Sequence, residues 1–139
     1  MKKVLFLFGE LNDLDVDWLS AQGTTQPIAK GAVLIQEGKP IRALYIVLDG
    51  MFEVLLGRTE KKPIARVGTG EILGEISFID SRAPIGTVQA MTDSLVFAMS
   101  SEVLLAKLKQ DPAFGARFYR AMAMFLSQGG TSVMRRSPT

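Results

Sequence analysis

Short apolar segments separated by Gly, Pro and Asp dominate the middle of the chain, from residue 26 to residue 99. Such segments are typical of strands when they are rich in β-branched and aromatic residues, because these side chains pack well on a pleated surface. The segments that this pattern predicts as strands are 32–36, 43–48, 51–55, 63–67, 87–90 and 95–99. Many short strands at nearly regular spacing favour an antiparallel roll or barrel.

A tight turn is predicted between the second and third of these segments. Asp49 and Gly50 separate them. Asp-Gly between two β-rich runs is a strong signal for a hairpin, because Gly accepts the positive φ that a tight turn needs. The two segments are therefore predicted to form a β-hairpin.

A helix is predicted before the strands, over residues 11–22. Asn12 or Asp13 can cap it, and acidic residues cluster in its first turn, where the helix dipole favours negative charge. Gly23 is expected to end this helix.

Two more helices are predicted after the strands, over about 101–128. Ser100 can cap the first, and Asp111 followed by Pro112 gives the second a cap and a favourable first residue. Apolar residues then recur at steps of three and four and form a stripe: Phe114, Phe118, Ala121, Met122, Phe125 and Leu126. The stripe can pack on the roll or pair with its twin in a homodimer through residues 113–127. We expect a mixture of the two roles, with a lean towards the dimer.

The composition is that of a folded domain. The chain has 139 residues, of which 47% are hydrophobic and 22% are charged. This length predicts one domain over 1–139 with a sizeable core. Within it, the roll is expected over about 26–99 and a disordered tail over about 129–139.

The missing residue types limit the chemistry. The chain has no Cys and no His, which excludes disulfides, thiolate nucleophiles and the commonest metal ligand and acid–base group. We therefore predict no metal site and no enzyme activity. The net charge of +2 is too small to call for nucleic acid, and no apolar run approaches the roughly 20 residues of a membrane span. A cytoplasmic location is expected.

The stretch 70–88 is the part of the chain on which a binding function would centre. Gly70 and Gly74 each precede a Glu, and an apolar run containing Ser77 follows. The pattern predicts a sharp turn, one short helical turn and a loop that re-enters a strand at Thr87. Free N–H groups beside a glycine make an anion site, but a Gly-rich corner between two strands explains the same spacing. The spacing alone favours the corner.

Three passages of the chain resemble the cyclic nucleotide-binding domain, the regulatory module of catabolite-activator-type transcription factors, cyclic-nucleotide-dependent kinases and gated channels. They are 30–38 (KGAVLIQEG), 44–50 (LYIVLDG) and 70–78 (GEILGEISF), and the likeness covers most of 10–127. The resemblance implies a mainly β fold, an antiparallel β-roll similar to a double-stranded jelly roll. It also implies an N-terminal helix, a glycine-flanked short helix, a β-hairpin after it and two C-terminal helices.

The resemblance implies a nucleotide site in the phosphate-binding cassette that begins in the third passage. The positions that match the start of the family's cassette are Gly74, Glu75, Ile76 and Ser77. Backbone near Gly74 would meet the sugar-phosphate, and Glu75 would accept a hydrogen bond from the ribose 2′-hydroxyl, worth ~1.5–3 kcal/mol for an ionised acceptor. Glu75 is equally explained as a helix N-terminal acid satisfied by its own backbone.

Further ligand-binding positions are implied at the far end of the cassette and on the facing strands. Thr87 and Val88 stand at that end, and Val54, Ile64 and Val67 would line the wall facing the sugar and base. Core packing explains the three wall residues just as well.

The chain departs from the family where the cassette ends. The family has a run similar to Pro-Arg-x-Ala-Thr-Val, whose Arg holds the cyclic phosphate, and alignment back from Thr87 places Pro84 at that Arg. Proline has neither charge nor N–H. The loss would weaken phosphate binding by about 1.5–3 kcal/mol, roughly ten- to a hundredfold. Arg82 either reaches inward or, as we expect, points into solvent, and Ile85 and Gly86 complete the altered segment.

The sequence and the resemblance together predict two alternative functions. The first is a regulatory domain that binds cAMP, cGMP or another small anionic ligand weakly and acts on a partner protein through its C-terminal helix. The second is an orphan domain that binds no ligand and serves as a dimerisation or docking module. No other cofactor is implied. We expect no nucleic-acid binding by this chain alone, because residues 128–139 are too few for a helix-turn-helix.

Overall fold

Two four-stranded sheets and four helices make up the part of the protein that the structure describes. The computed structural model describes residues 9–57 and 59–127. The elements in chain order are α1 (Asp13–Gln22), β1 (Thr24–Ile28), β2 (Val33–Ile35), β3 (Ala43–Asp49), β4 (Met51–Leu56), β5 (Lys62–Gly68), β6 (Ile72–Leu73), α2 (Glu75–Asp80), β7 (Thr87–Ala90), β8 (Ser94–Ser100), α3 (Ser101–Gln110) and α4 (Pro112–Ser127). None of the helices in this part of the chain is both long and apolar enough to cross a membrane.

The strands form two antiparallel sheets. The first has the order β1-β8-β3-β6 and the second has the order β2-β7-β4-β5. The predicted mainly β roll with one N-terminal and two C-terminal helices is confirmed. Each predicted strand is present to within one residue at either end. The structure adds β1, which is mostly exposed, and the two-residue β6. The predicted tail at 129–139 lies outside the described residues.

The hairpin predictions are wrong. β3 pairs with β6 and β8, whereas β4 pairs with β5 and β7. Asp49 lies opposite Leu95 in the first sheet, and Met51 lies opposite Gly68 in the second. Gly50, at φ +120°, is therefore a corner between the sheets. β7 and β8, which the resemblance implied as a hairpin, are likewise divided between the sheets. A turn signal reports local backbone geometry, whereas pairing is decided by strands from distant parts of the chain.

The first sheet is buried on both faces because its central strands alternate. In β3, Leu44 and Ile46 point towards the helices while Val47 points between the sheets; in β8, Phe97 and Val96 divide in the same way. The outer core, between this sheet and the helices, contains Leu19, Leu44, Ile46, Ile72, Phe78, Phe97, Met99, Leu104, Leu108, Phe114, Phe118, Ala121, Met122 and Phe125. The inner core, between the sheets, contains Ile35, Val47, Phe52, Val54, Val67, Leu73, Val88, Ala90 and Val96.

The predicted apolar stripe of α4 packs on the roll. Five of its six members, Phe114, Phe118, Ala121, Met122 and Phe125, are buried in the outer core, and Leu126 packs against it. Of the two roles predicted for this stripe, packing on the roll is the one that the structure shows. Any contact of α4 with a second copy would have to use the opposite face of the helix.

The caps predicted for the helices are confirmed. The Asn12 side chain accepts from the Asp15 N–H at 2.9 Å, and the Asn12 N–H donates to the Asp15 carboxylate at 3.1 Å. This reciprocal pair is a capping box. Asp111 caps α4 by accepting from the Phe114 N–H at 3.1 Å, and this hydrogen bond holds the pKa of Asp111 below its ordinary value.

Charged and aromatic contacts hold α1 and the residues before it against α4. Asp15 is only 5% exposed and accepts two hydrogen bonds from the Arg117 guanidinium, at 2.6 and 2.9 Å. Glu10 pairs with Arg120 at 2.9 Å. Trp18 meets the Phe114 ring edge to face at a centroid distance of 5.6 Å. The contact with Arg117 holds the pKa of Asp15 below its ordinary value of 3.8. The N-terminal segment therefore lies antiparallel along the first turns of α4.

Lys107 of α3 completes this junction. Its ammonium lies 5.2 Å from the Trp18 ring centroid and 5.5 Å from that of Phe114, where the cation is attracted by both ring faces. It also pairs with Asp111 at 3.3 Å. All three outer helices meet at this point.

The Asp15 pair predicts a specific acid dependence. Asp15→Asn should lower the melting temperature at pH 7 by on the order of 5 °C, because Arg117 loses its ionised partner. The pKa of Asp15 is lower in the folded state than the ordinary value of 3.8 that it has in the unfolded chain. The ionised Asp15 therefore stabilises the fold fully at pH values above 3.8, and this stabilisation is lost as the pH falls through the folded pKa. The difference between the wild type and Asp15→Asn, followed by circular dichroism from pH 7 to pH 3, should therefore shrink towards acid.

Asp17→Asn is the matched control. Asp17 is exposed on the same helix, so its neutralisation changes net charge equally without breaking the pair, and it should leave the melting temperature nearly unchanged. A difference between wild type and Asp15→Asn that stays constant down to pH 3 would contradict the ionic explanation.

Candidate ligand-binding site

The short helix α2 begins at a glycine whose conformation few other residues adopt. Gly74 has φ +90° and ψ 4°, and its carbonyl accepts from the Phe78 N–H at 3.0 Å. A Cβ at this position would lie 3.2 Å from the Ala43 carbonyl oxygen. Both the left-handed backbone and the close approach of β3 therefore favour glycine. The predicted sharp turn into one short helix is present here.

The next residues occupy the first turn of α2. Glu75 is only 2% exposed. Among the described residues, no buried side-chain oxygen or nitrogen lacks a hydrogen-bond partner, so its carboxylate is satisfied without a ligand. Ile76 is the second residue of the helix, and the half-buried Ser77 accepts from the Ser81 N–H through its carbonyl at 2.9 Å.

The predicted wall residues lie together. Val54 and Val67 belong to the inner core, and the half-buried Ile64 packs against it. Val88, from the end of the cassette, lies directly opposite Val54. Leu73, which precedes Gly74, belongs to the same core. The structure therefore brings both ends of the cassette and the wall to one apolar interior.

The residues around the missing arginine are mostly at the surface. Arg82 is exposed, and it follows Ser81, which has φ +62°. Pro84 is half-buried, whereas Ile85 is 75% exposed and so does not close the interior. The side chains of Arg82 and Ile85 therefore both lie on the solvent side of this segment.

Gly86 lies where the segment passes closest to β4. A Cβ here would meet the Leu55 carbonyl oxygen and side-chain atoms of Val54 and Leu56, each at 3.3 Å. Space, and not backbone conformation, is what favours a small residue at this position.

A turn from another part of the chain holds the end of the cassette; the sequence predicts a turn over residues 37–40 but not this contact. Residues 36–39 form this turn, and we call it the 36–39 turn. The Gly38 N–H donates to the Pro84 carbonyl at 2.9 Å, and the Glu37 N–H donates to the Thr87 hydroxyl at 3.2 Å. Thr87 is only 1% exposed. Its hydroxyl accepts this bond and keeps its own hydrogen for donation.

Tyr45 is a further polar group, and the sequence pattern predicted it only as part of a strand. It lies on β3 opposite Leu73 and packs against the inner core. Burial raises the pKa of its phenol further above neutral pH, and the protonated group can donate a hydrogen bond. The signal that could have found it was the alternation of β3, which puts Tyr45 on the face of Val47.

The residue types at the candidate site suit ligand binding better than metal binding. Within residues 9–57 and 59–127, Asp and Glu side chains nowhere gather in groups of three or more that could hold a metal ion. The site instead combines an apolar interior, one buried carboxylate, hydroxyl donors and a glycine-led helix start. Such a set suits a small ligand that has an apolar face and a few polar groups.

The family comparison matches the core of the chain. Residues 25–111 match the family whose description is the cyclic nucleotide-binding domain. This range runs from β1 to the residue that caps α4 and contains the whole cassette.

Individual relatives show the same likeness. A candidate potassium channel protein of Rhodopseudomonas palustris is 26% identical over 111 residues, which are 80% of this chain and 27% of that protein. A cGMP-dependent protein kinase of Eimeria tenella is 30% identical over 101 residues, 72% of this chain and 10% of the kinase. The chain therefore spans about a quarter or less of these relatives. A cyclic nucleotide-binding domain from Methylobacillus flagellatus has the same fold, with a TM-score of 0.82 at 21% identity over 91% of this chain and 76% of that one.

Two glycines with nearly the same backbone separate conformation from contact. Gly70 has φ +91° and nothing within 4 Å of an added Cβ, whereas Gly74 has φ +90° and the Ala43 oxygen at 3.2 Å. Gly70→Ala should lower the free energy of unfolding by about 1–2 kcal/mol, the cost of the left-handed backbone. Gly74→Ala should lose this and about 1 kcal/mol more from crowding. Urea unfolding of both variants measures the difference, and equal losses would refute the contact with β3.

Proposed function

The chain belongs to the cyclic nucleotide-binding domain family, and from this premise we propose that it is a regulatory domain that binds a small anionic ligand, cAMP or cGMP in the first instance. The proposed affinity is weak, and the proposed output is a change in the position of α4 that a partner protein reads.

One observation carries this proposal. The buried Glu75 stands at a glycine-led helix start, two residues after Leu73, which belongs to the same inner core as Val54, Val67 and Val88. A carboxylate has several acceptor sites, so it can accept from a sugar hydroxyl in addition to its present partner, while the apolar wall covers the sugar and base. The fit to a nucleoside portion is therefore supported by both polar and apolar groups.

The same short helix offers a route to α4. Phe78 of α2 lies in the outer core and meets Phe118 of α4 edge to face at 5.9 Å. A ligand that shifts α2 would move Phe78 and so change the packing of α4. Such a ligand acts by binding one arrangement of the helix better than the other.

A small cavity lies beside Phe118, the residue of α4 that Phe78 contacts. This cavity of about 20 Å³ lies beneath the helices, lined by Leu19, Leu44, Ile46, Phe97, Met99, Leu104 and Phe118. Because α1 is fastened to α4 through Asp15 and Arg117, we expect the two helices to move as one body.

Charge is the reason for the proposed weak affinity. Pro84 offers neither a cation nor an N–H to a phosphate, and Arg82 is exposed. An ion pair with an exposed cation gains little because water screens it. The apolar wall would then supply most of the binding energy.

Replacing Pro84 tests this account. Pro84→Arg should strengthen cAMP binding by about ten- to a hundredfold, from the ~1.5–3 kcal/mol of a charged hydrogen bond. Isothermal titration calorimetry with cAMP and cGMP measures the change. In the wild type, a ligand at 100 times its Kd should add ~2.7 kcal/mol to the free energy of unfolding.

Ile85→Arg is the matched control, because it adds the same charge one residue along, at a side chain that is 75% exposed. It should change the affinity far less than Pro84→Arg. Absence of any cAMP or cGMP binding by both the wild type and Pro84→Arg would refute the nucleotide function.

A second function, a dimerisation module, is favoured by the outer face of α4. Tyr119 and Met124 are 48% and 42% exposed, on the two flanks of the surface opposite the stripe that packs on the roll. A second copy can cover large apolar side chains that a helix exposes to solvent.

The dimer can be tested separately from ligand binding. Tyr119→Glu should convert a dimer into a monomer in sedimentation equilibrium, because the new charge would be buried in the contact. Val103→Glu, an exposed position on α3, is the control and should leave the mass unchanged. A wild type that stays monomeric at all concentrations excludes this function.

A further inference from the structure

A cation stands on the turn that is bonded to the altered end of the cassette. The 36–39 turn donates two backbone hydrogen bonds to that end, from Gly38 to Pro84 and from Glu37 to Thr87. These bonds bracket Ile85 and Gly86 on both sides. The turn and the cassette end therefore form one structural unit, although about 50 residues of chain separate them.

Lys39 is the last residue of this turn. The Gly38 nitrogen is 2.9 Å from the Pro84 oxygen, and consecutive Cα atoms are about 3.8 Å apart, so the Lys39 Cα lies at most about 8 Å from that oxygen. A lysine has a flexible four-carbon stem long enough to cover most of this distance. We infer that Lys39 supplies the positive charge that meets the anionic group of the ligand, a role that rests on the proposed function.

The backbone of Lys39 is held while its side chain is available. Its N–H donates to the Gln36 carbonyl at 3.1 Å, and Pro40 follows it. In the described part of the chain its ammonium forms no ion pair with a carboxylate, in contrast to Lys107, Arg117 and Arg120. An unpaired lysine gives up no existing contact when an anion arrives.

The remaining donors near the cassette end narrow the ligand class. The N–H groups of Glu37 and Gly38 are already used, and Pro84 has none. The Thr87 hydroxyl keeps one hydrogen to donate. Together, the Lys39 cation and the Thr87 hydroxyl suit a singly charged group such as a cyclic phosphodiester, and the cation favours it over a neutral nucleoside.

Calorimetry on the full chain with cAMP, and with adenosine as its uncharged counterpart, tests the inference. Lys39→Gln should weaken cAMP binding by about three- to tenfold and leave adenosine binding unchanged. Lys39→Arg should keep the wild-type affinity. Raising NaCl from about 50 to about 500 mM should weaken cAMP binding by the wild type more than by Lys39→Gln, because salt screens the contact.

Two control variants remove a cation elsewhere. Lys109→Gln changes an exposed lysine on α3 and should not affect cAMP binding. Arg82→Gln removes the competing cation of the cassette and should weaken cAMP binding less than Lys39→Gln does. Melting temperatures without ligand should be equal for the wild type, Lys39→Gln and Lys39→Arg.

Three outcomes would contradict the role of Lys39, and one of them would also contradict the proposed function. If cAMP binds the wild type and Lys39→Gln equally, the Lys39 inference is overturned and the proposed function stands. Equal weakening of cAMP and adenosine would mean that Lys39 only holds the turn in place, which also overturns its charge role. If the wild type binds neither compound, the proposed nucleotide function fails, and the role of Lys39 fails with it.

Discussion

Burial of β3 and β8 on both faces is the constraint on which the rest of the structure depends. Leu44 and Ile46 face the helices while Val47 faces the second sheet. The helices therefore cannot leave the roll without exposing the apolar side chains of the outer core. Each buried side chain of this size contributes about 1.5–3 kcal/mol relative to exposure, so the helices and the roll form one cooperative unit.

The cassette gains its position from both cores. Leu73 belongs to the inner core and Phe78 to the outer core, and Gly74 and Glu75 lie between them. A helix of six residues could not hold a fixed place by its own hydrogen bonds, since short helices are unstable alone. Its two anchors, Leu73 before it and Phe78 within it, connect α2 to both cores.

The charged groups around α4 differ in pairing and exposure from those at the end of the cassette. Around α4, carboxylates and guanidinium groups are already paired, and Asp15 is shielded from water. At the end of the cassette, Arg82 and Lys39 are exposed. An anion bound there would be held by cations in a high-dielectric environment, where the attraction is small. The contrast is the physical reason for the weak anion affinity that we propose, since the Asp15 carboxylate that holds the helices is shielded from water whereas these two cations are not.

Much of the local structure was contained in the sequence. Asn12, Asp111 and the glycine before α2 were predicted in their observed roles, because caps and left-handed residues depend on only a few neighbouring bonds. Strand positions followed from apolar periodicity, and the family likeness located the cassette.

Only the tertiary structure decided which strands pair and which side chains meet. Gly50 had the local signature of a hairpin, yet β3 and β4 found their partners in different sheets. The contact of Asp15 with Arg117 spans 102 residues, and that of Glu37 with Thr87 spans 50. No periodicity in the chain encodes such contacts, because they arise only when the two cores bring distant segments to the same place.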